Sequence, residues 1–315
     1  MNIPSTHAPG FGLGLREAHL DHILTNWPEV DWFEIMSETF IRVDGHSHYQ
    51  LRRLAEHYPI TMHGASLSIG DQAPLDRDYL QALKQLADQI NPLWISDHLC
   101  RSGSVSLDSH ELQPVALTGD SLKHVATRIR TVQEVLERPL ILENPGYFKS
   151  AAHSDIAEPD FLRFLTEETG CGLLLDINNV YTSCAGSGLD PVEYIRALPT
   201  QRIVQMHLAR HKHGINQLPN SEDGLIEGAI WKLFLHAWFH THGVPALLEW
   251  DTHMASFDAY QVEMVKAQRQ VERECLFGAH HPANASRQHI PNSVGIRMPD
   301  ALRRTGMTII IPSAP

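Results

Sequence analysis

Short, almost uninterrupted apolar runs punctuate the chain at 10–15, 32–36, 60–63, 93–96, 139–143, 172–176, 203–207 and 244–249. None shows the strict polar/apolar alternation of a half-exposed sheet. Such runs read as strands covered on both faces. Helical spacing fills the intervals between them. Within 75–90, Tyr79, Leu80, Leu83, Leu86 and Ile90 share one face, with Asp76 in the first turn, where a carboxylate complements the helix dipole. Segments 120–137, 158–168, 190–198, 226–241 and 256–277 behave alike, and Asp190-Pro191 reads as an N-cap followed by proline at the first helical position. Alternating strands and helices imply an α/β fold with a parallel sheet, and eight units is the count at which such a sheet closes into a TIM (β/α)8 barrel. An open doubly wound sheet is the competing arrangement. The pattern predicts a single catalytic domain over 1–278 and an irregular tail over 279–315. Two long loops interrupt it, 99–119, a candidate lid, and 208–225.

The polar residues that end the runs carry the chemistry. The third run ends in His63, the fourth is followed by Asp97-His98, and the fifth ends in Glu143. The sixth ends in Asp176, with Asn178 just beyond; the seventh ends in His207 and the eighth in Glu249. In a barrel of this type the carboxyl ends of the strands converge on one face, where active sites are built. Carboxylates crowded there raise one another's pKa unless a cation neutralises them. Three imidazoles with three carboxylates and no thiolate suit Fe, Mn, Zn or Ni, whereas calcium and magnesium prefer all-oxygen shells. Six donors exceed the need of one ion with an open position, so two or more ions are expected.

Each residue also has a plainer role. His63 before glycine suits a structural histidine, His98 beside Asp97 a hydrogen-bonded pair, and Glu143 or Asp176 a helix cap. Glu249 resists such a reading, because a buried unpaired carboxylate costs several kcal/mol. Six coincidences at the same end of consecutive strands favour one shared site. His46, His48, His236, His240, His242, His280 and His281 are expected to be mostly solvated, and His211 and His213 are candidates to support the site. Cys100 reads as a small buried apolar residue.

Composition narrows the classes. Of 315 residues, 25 are Lys or Arg and 37 Asp or Glu, a formal charge of -12; this balance speaks against a nucleic-acid partner. The 21 histidines are the unusual feature. Four cysteines without Cys-x-x-Cys spacing argue against a disulfide framework or zinc knuckle. Neither a secretory signal nor a membrane-spanning run is visible, so a cytoplasmic location is expected. Gly-x-Gly-x-x-Gly after a strand, a Walker loop, a Gly-x-Ser-x-Gly elbow and a His-Glu-x-x-His helix are all missing.

The ordered set Gly12-Leu13-Gly14-Leu15-Arg16, Asp31-Trp32-Phe33-Glu34, Met62-His63-Gly64, Ser96-Asp97-His98-Leu99, Leu142-Glu143-Asn144-Pro145, Asp176-Ile177-Asn178-Asn179-Val180-Tyr181, Met206-His207-Leu208-Ala209 and Leu248-Glu249-Trp250-Asp251 carries a resemblance. It resembles the multinuclear non-haem iron-dependent oxidative enzymes, the family of the methanobactin biosynthesis oxidase, over about residues 10–277. The resemblance implies a TIM barrel holding two or three irons of mixed Fe2+/Fe3+ state. Its ligands fall on His63, His98, Glu143, Asp176, Asn178, His207 and Glu249. One element departs: where members carry Asp-Thr-His, this chain has Asn220-Ser221-Glu222, so Glu222 becomes a candidate ligand of different charge.

The implied reaction is O2-dependent oxidation of a cysteine in a ribosomally synthesised precursor peptide, with a separate partner protein recognising the peptide. Glu34 and Asp251 are candidates to orient ligands or move protons. Two other readings stand beside it. One is a divalent-metal isomerase or phosphoester hydrolase on the same barrel, and the other a non-catalytic metal-binding subunit of a biosynthetic complex.

Overall fold

The computed structural model describes residues 10–42, 45–101, 112–146, 154–210, 228–250 and 256–277. The chain divides into two compact units, Met1–Arg269 and Gln270–Pro315, and the first holds the barrel. Glu222, Asp251, His211, His213, His280, His281 and the tail 279–315 lie outside the described residues.

Eight strands form a closed barrel in chain order: β1 (Phe11–Leu15), β2 (Trp32–Met36), β3 (Ile60–Gly64), β4 (Ile95–His98), β5 (Leu140–Glu143), β6 (Gly172–Asp176), β7 (Ile203–Arg210) and β8 (Ala246–Trp250). Neighbours pair in parallel, and β1 against β8 closes the ring through Phe11 opposite Ala246 and Gly12 opposite Leu247. This is the TIM-type (β/α)8 barrel; the open sheet is excluded. The fourth strand lies two residues later than its apolar run suggests. Trp94, which precedes it, turns into the barrel floor instead.

Five long helices and the short, capped α8 sit where the sequence pattern places them: α4 (Arg77–Ile90), α5 (Gly119–Leu136), α6 (Glu158–Thr169), α8 (Pro191–Ala197), α9 (Gly228–His240) and α10 (Phe257–Phe277). Asp190 caps α8 through Val192 and Glu193 N–H, at 2.7 and 3.1 Å. Asp76 is the N-cap of α4, taking the Asp78 and Tyr79 N–H groups, and so lies just before the first turn. Four further helices escape the pattern: α1 (Leu20–Asn26), α2 (Ser37–Arg42), α3 (His46–Ala55) and α7 (Ile177–Ser187). Three of them span too few turns for a clear period, and α7 follows β6 without a loop.

Below the strand ends the barrel is plugged by Trp32, Trp94, Ile141, Leu174, Val204 and Leu247, all essentially without solvent contact. Two glycines make room for this plug. A Cβ on Gly12 would stand 2.4 Å from the Trp32 indole, and one on Gly172 would stand 2.7 Å from Ile141 and 2.8 Å from Val204. The register slips once, between β6 and β7: Leu173 faces Ile203, but Leu174 faces Gln205 and Asp176 faces His207. This one-residue bulge lets Val204 join the plug while Gln205 and His207 still turn inward. Re-aiming a side chain beside a functional site is a common use of such a bulge.

Candidate metal centre

Seven of the eight strands deliver an ionisable side chain to the carboxyl-terminal mouth. They are Glu34 on β2, His63 on β3, His98 on β4, Glu143 on β5, Asp176 on β6, His207 on β7 and Glu249 on β8. Their donor atoms fall into three overlapping groups: His63, His98 and Glu143; Glu143, Asp176 and His207; and Glu34, His207 and Glu249. Within each group one ligand atom per residue lies within 4.8 Å of the others. Six of the residues singled out from the sequence as ligands are thus brought together. Glu34, expected only to support the site, stands among them.

Glu143, like His207, is a corner shared by two of the groups. It is 2 % exposed. Its Oε1 accepts the Asn179 amide N–H at 3.1 Å. Its Oε2 receives no hydrogen bond of normal geometry, yet lies 3.3 Å from His63 Nε2 and 3.1 Å from His98 Nδ1. Burial, together with Asp176, Glu249 and Glu34 nearby, pushes its pKa well above the ordinary carboxylate value despite the opposing pull of His207. A desolvated oxygen that faces two imidazoles without an in-line donor is what a cation between them would satisfy.

The imidazoles are held from behind. Ser96 donates its hydroxyl to the Met62 carbonyl at 3.2 Å, so its oxygen is left to accept the His63 Nδ1–H at 2.9 Å. That fixes the tautomer and turns the lone pair of His63 Nε2 toward His98 Nε2, 3.1 Å away. Burial, reinforced by His63 next door, lowers the His98 pKa to about 3, so this ring is a neutral donor. His207 is flanked by two carboxylates, Nε2 lying 3.0 Å from Glu34 Oε1 and Nδ1 3.2 Å from Glu249 Oε1. Burial alone would lower its pKa, but Glu249 and Glu34 outweigh it and hold the value well above normal. Burial likewise opposes ionisation of Glu249, yet His207 prevails and brings its pKa to about 2. Glu249 sits at the rim, 38 % of its side chain exposed.

Asp176 combines the cap and the site. One oxygen accepts the Asn179 N–H at 2.6 Å as the N-cap of α7, and its backbone is gripped on both sides by Asn144, at 2.8 and 3.2 Å. Asn178, a ligand in the resemblance, is buried in the first turn of α7. Its Oδ1 accepts the Ala209 N–H at 3.0 Å and ties α7 to β7. Asp97 does not pair with the His98 ring; its Oδ2 accepts the Leu67 N–H beyond β3. Among the other histidines, His48, His236 and His240 are half-buried rather than solvated. His48 Nε2 lies 2.5 Å from the Phe40 carbonyl, and His240 Nε2 is 3.0 Å from Thr200 Oγ1. Cys100 is buried, as its apolar reading requires.

Sequence reasoning missed Asn179, Thr61, Ser96 and Gln205. The last three carried a signal: each is a polar residue two positions before a strand-end donor or opposite Glu34, inside an otherwise apolar strand. Asn179 had none, since its neighbour Asn178 looks identical in sequence. Gly146 makes space for it, because a Cβ there would lie 2.0 Å from Asn179 Oδ1.

Fold and site together define a (β/α)8 barrel with a buried histidine–carboxylate constellation able to hold metal at its strand ends. The family model described as "RiPP precursor modification enzyme MbnB/TglH/ChrH" matches residues 10–272, and the chain belongs to that family. It is 40% identical over 256 residues to a UPF0276 protein of Caulobacter vibrioides, covering 81% of this chain and 91% of that one. A UPF0276 protein of Acaryochloris marina is 40% identical over 268 residues, covering 84% and 96%. Among solved structures, L-ribulose 3-epimerase superposes with a TM-score of 0.57 at 14% identity, covering 90% of this chain and 100% of that one. Endonuclease IV from Thermus thermophilus gives 0.57 at 15% identity, covering 83% and 99%. At such identity these two show the shared barrel alone. The family places the chain among enzymes that modify ribosomally synthesised peptide precursors. Among the described residues no helix is long and apolar enough to cross a membrane.

Proposed function

We propose that this chain is an iron-dependent, O2-using oxidase or oxygenase that modifies a cysteine of a precursor peptide. The observation that carries the reading is Glu143, buried and common to two donor groups. A carboxylate so placed could be shared between two ions, one that His63 and His98 would hold and another that Asp176 and His207 would hold. The donor set of nitrogen and oxygen without thiolate fits iron. Two or three irons held there, of mixed Fe2+/Fe3+ state, would supply a site for a substrate thiolate and one-electron chemistry with O2.

The chain's own residues provide the frame for that chemistry. Asn179 holds Glu143, and Ser96 sets the His63 tautomer. Glu34 takes the inner nitrogen of His207, leaving its outer nitrogen toward Glu249. Glu249, at the rim, borders the side from which a peptide enters, and the plug of Trp32, Trp94, Ile141 and Leu174 excludes water from below. Glu222, Asn178 and Asp251 remain candidates to complete the shell or to move protons. The substrate is a cysteine-containing precursor peptide, with a separate protein recognising it and a cytoplasmic setting. No lysine lies at a strand end among the described residues, which disfavours the isomerase reading.

The test is protein purified without oxygen. It should contain about two or more irons per chain and consume O2 when given a cysteine-containing precursor peptide. An iron-free preparation that holds zinc or manganese tightly and takes up no oxygen would overturn the proposal.

A further inference from the structure

We infer that Gly14 is a specificity-determining residue: its missing side chain leaves, on the β1 side of the mouth, the seat through which a cysteine side chain reaches the metal centre. The inference rests on the proposed reading of the centre as a metal site that takes a substrate thiolate. Seven strands deliver an ionisable side chain to the mouth, and β1 is the exception. Gly14 lies opposite Glu34 in the register with β2, so it faces inward at the level of the donors. It is also the one residue of β1 that is not buried.

Glycine inside a strand weakens it and needs a reason. The backbone gives none, because Gly14 does not adopt a positive φ. The register with β2 runs unbroken from Gly12 to Leu15, so no bulge calls for it. Crowding gives none either. A Cβ on Gly12 would strike the Trp32 indole, but one on Gly14 would meet, among the described residues, only the Tyr260 hydroxyl, at an ordinary 3.4 Å. Close approach of a ligand is another use of a strand glycine. Tyr260, on α10, fixes the backbone beside the gap. The β1/β8 ladder runs to Leu13 opposite Leu248. Just beyond, the Tyr260 hydroxyl accepts the Gly14 N–H at 3.0 Å and donates to the Leu248 carbonyl.

The exposed positions of the mouth fall on the same arc. Glu249 on β8 has 38 % of its side chain exposed, and Met36, at the end of β2, is 43 % exposed. Gly14 stands on the strand between them. Across the mouth Glu143, Asp176 and His207 are buried. His98 on β4 is half-buried, but there an imidazole occupies the position. A flexible thioether such as Met36 adapts to varied apolar surfaces, which suits the edge of a peptide seat. A peptide laid over β8, β1 and β2 therefore reaches the donors past Gly14.

The full chain loaded with Co2+ tests this with two thiols of different size, hydrosulfide and N-acetylcysteine methylamide. A thiolate bound to Co2+ adds a near-ultraviolet charge-transfer band, which reads affinity without turnover. The parent should bind both. Gly14→Val should keep its Co2+ and bind hydrosulfide within about 2-fold of the parent, yet bind the cysteine derivative roughly 10-fold or more weakly. Gly14→Ala should weaken the cysteine derivative by about 3-fold and leave hydrosulfide unchanged. Equal weakening of both thiols, unchanged affinity for both, or loss of Co2+ from the variants would overturn the inference. If Gly14→Val fails to fold, Gly14→Ala decides by the same comparison of the two thiols. A parent that shows no thiolate band with either thiol would strike the proposed thiolate site beneath, and this inference with it, a distinguishable result.

Discussion

Glu158, at the start of α6, offers a quantitative test of the packing around the site. Its Oε1 accepts the Tyr194 hydroxyl at 2.5 Å and its Oε2 the Ser183 hydroxyl at 3.2 Å, and Ser183 lies on α7, the helix that Asp176 caps. Burial raises its pKa from 4.5 to about 7, against the lowering effect of those two donors. Because the folded pKa is the higher one, the native state retains a proton that the unfolded chain has lost between pH 4.5 and 7. Stability therefore falls as pH rises through that window and levels off above it. At 1.36 kcal/mol per unit, a rise of about 2.5 units sets an upper limit near 3 kcal/mol. The side chain is only partly buried, so about 2 kcal/mol is expected. Glu158→Gln removes the linkage and can keep both contacts, its oxygen accepting from Tyr194 and its amide donating to Ser183. In that variant the Ser183 hydroxyl can accept from the amide and give its one hydrogen to the Pro145 carbonyl, 3.1 Å away.

The variant should match the parent near pH 5 and exceed it by about 2 kcal/mol near pH 8, which is about 4–8 °C in Tm for a domain of this size. Thermal unfolding of the two proteins at equal metal content, compared from pH 5 to 8.5, isolates the effect, since every other titrating group is common to both. A Tm difference that stays constant across that range would refute the reasoning.

Three other outcomes are expected. Glu143→Gln should lose both ions that it is proposed to join, whereas His207→Ala and Glu249→Gln should lose part of the bound iron; all should retain the far-ultraviolet dichroism of the barrel, and metal analysis reads the result. Asn179→Ala should leave Glu143 free to turn and weaken metal binding roughly 10-fold, checked by chelator competition. Gly12→Ala forces a methyl group against the Trp32 indole and should cost about 1–3 kcal/mol, read as a lower denaturant midpoint with an unchanged slope.

Eight apolar runs, the helices between them and the donors at the strand ends were legible because barrel strands are short, buried on both faces and punctuated where they reach the mouth. The cap at Asp190 was legible because capping is a local matter of a few residues, whereas Asp76, read as a first-turn carboxylate, proved to be the N-cap of α4. What lay beyond the sequence depends on which side of a strand a residue faces and on what stands across the barrel. Asp97 and His98 are adjacent, yet the pleat sends one to the chain leaving β3 and the other to the site. His207 and Gln205 face inward because of a bulge that no local pattern announces. Glu34 and Gln205 are 171 residues apart and meet at 2.7 Å only once the cylinder closes. The order of strands and helices is a periodic property that a linear chain displays; the side to which a strand residue turns and pairing across a closed ring are properties of the ring, and tertiary structure alone decided them.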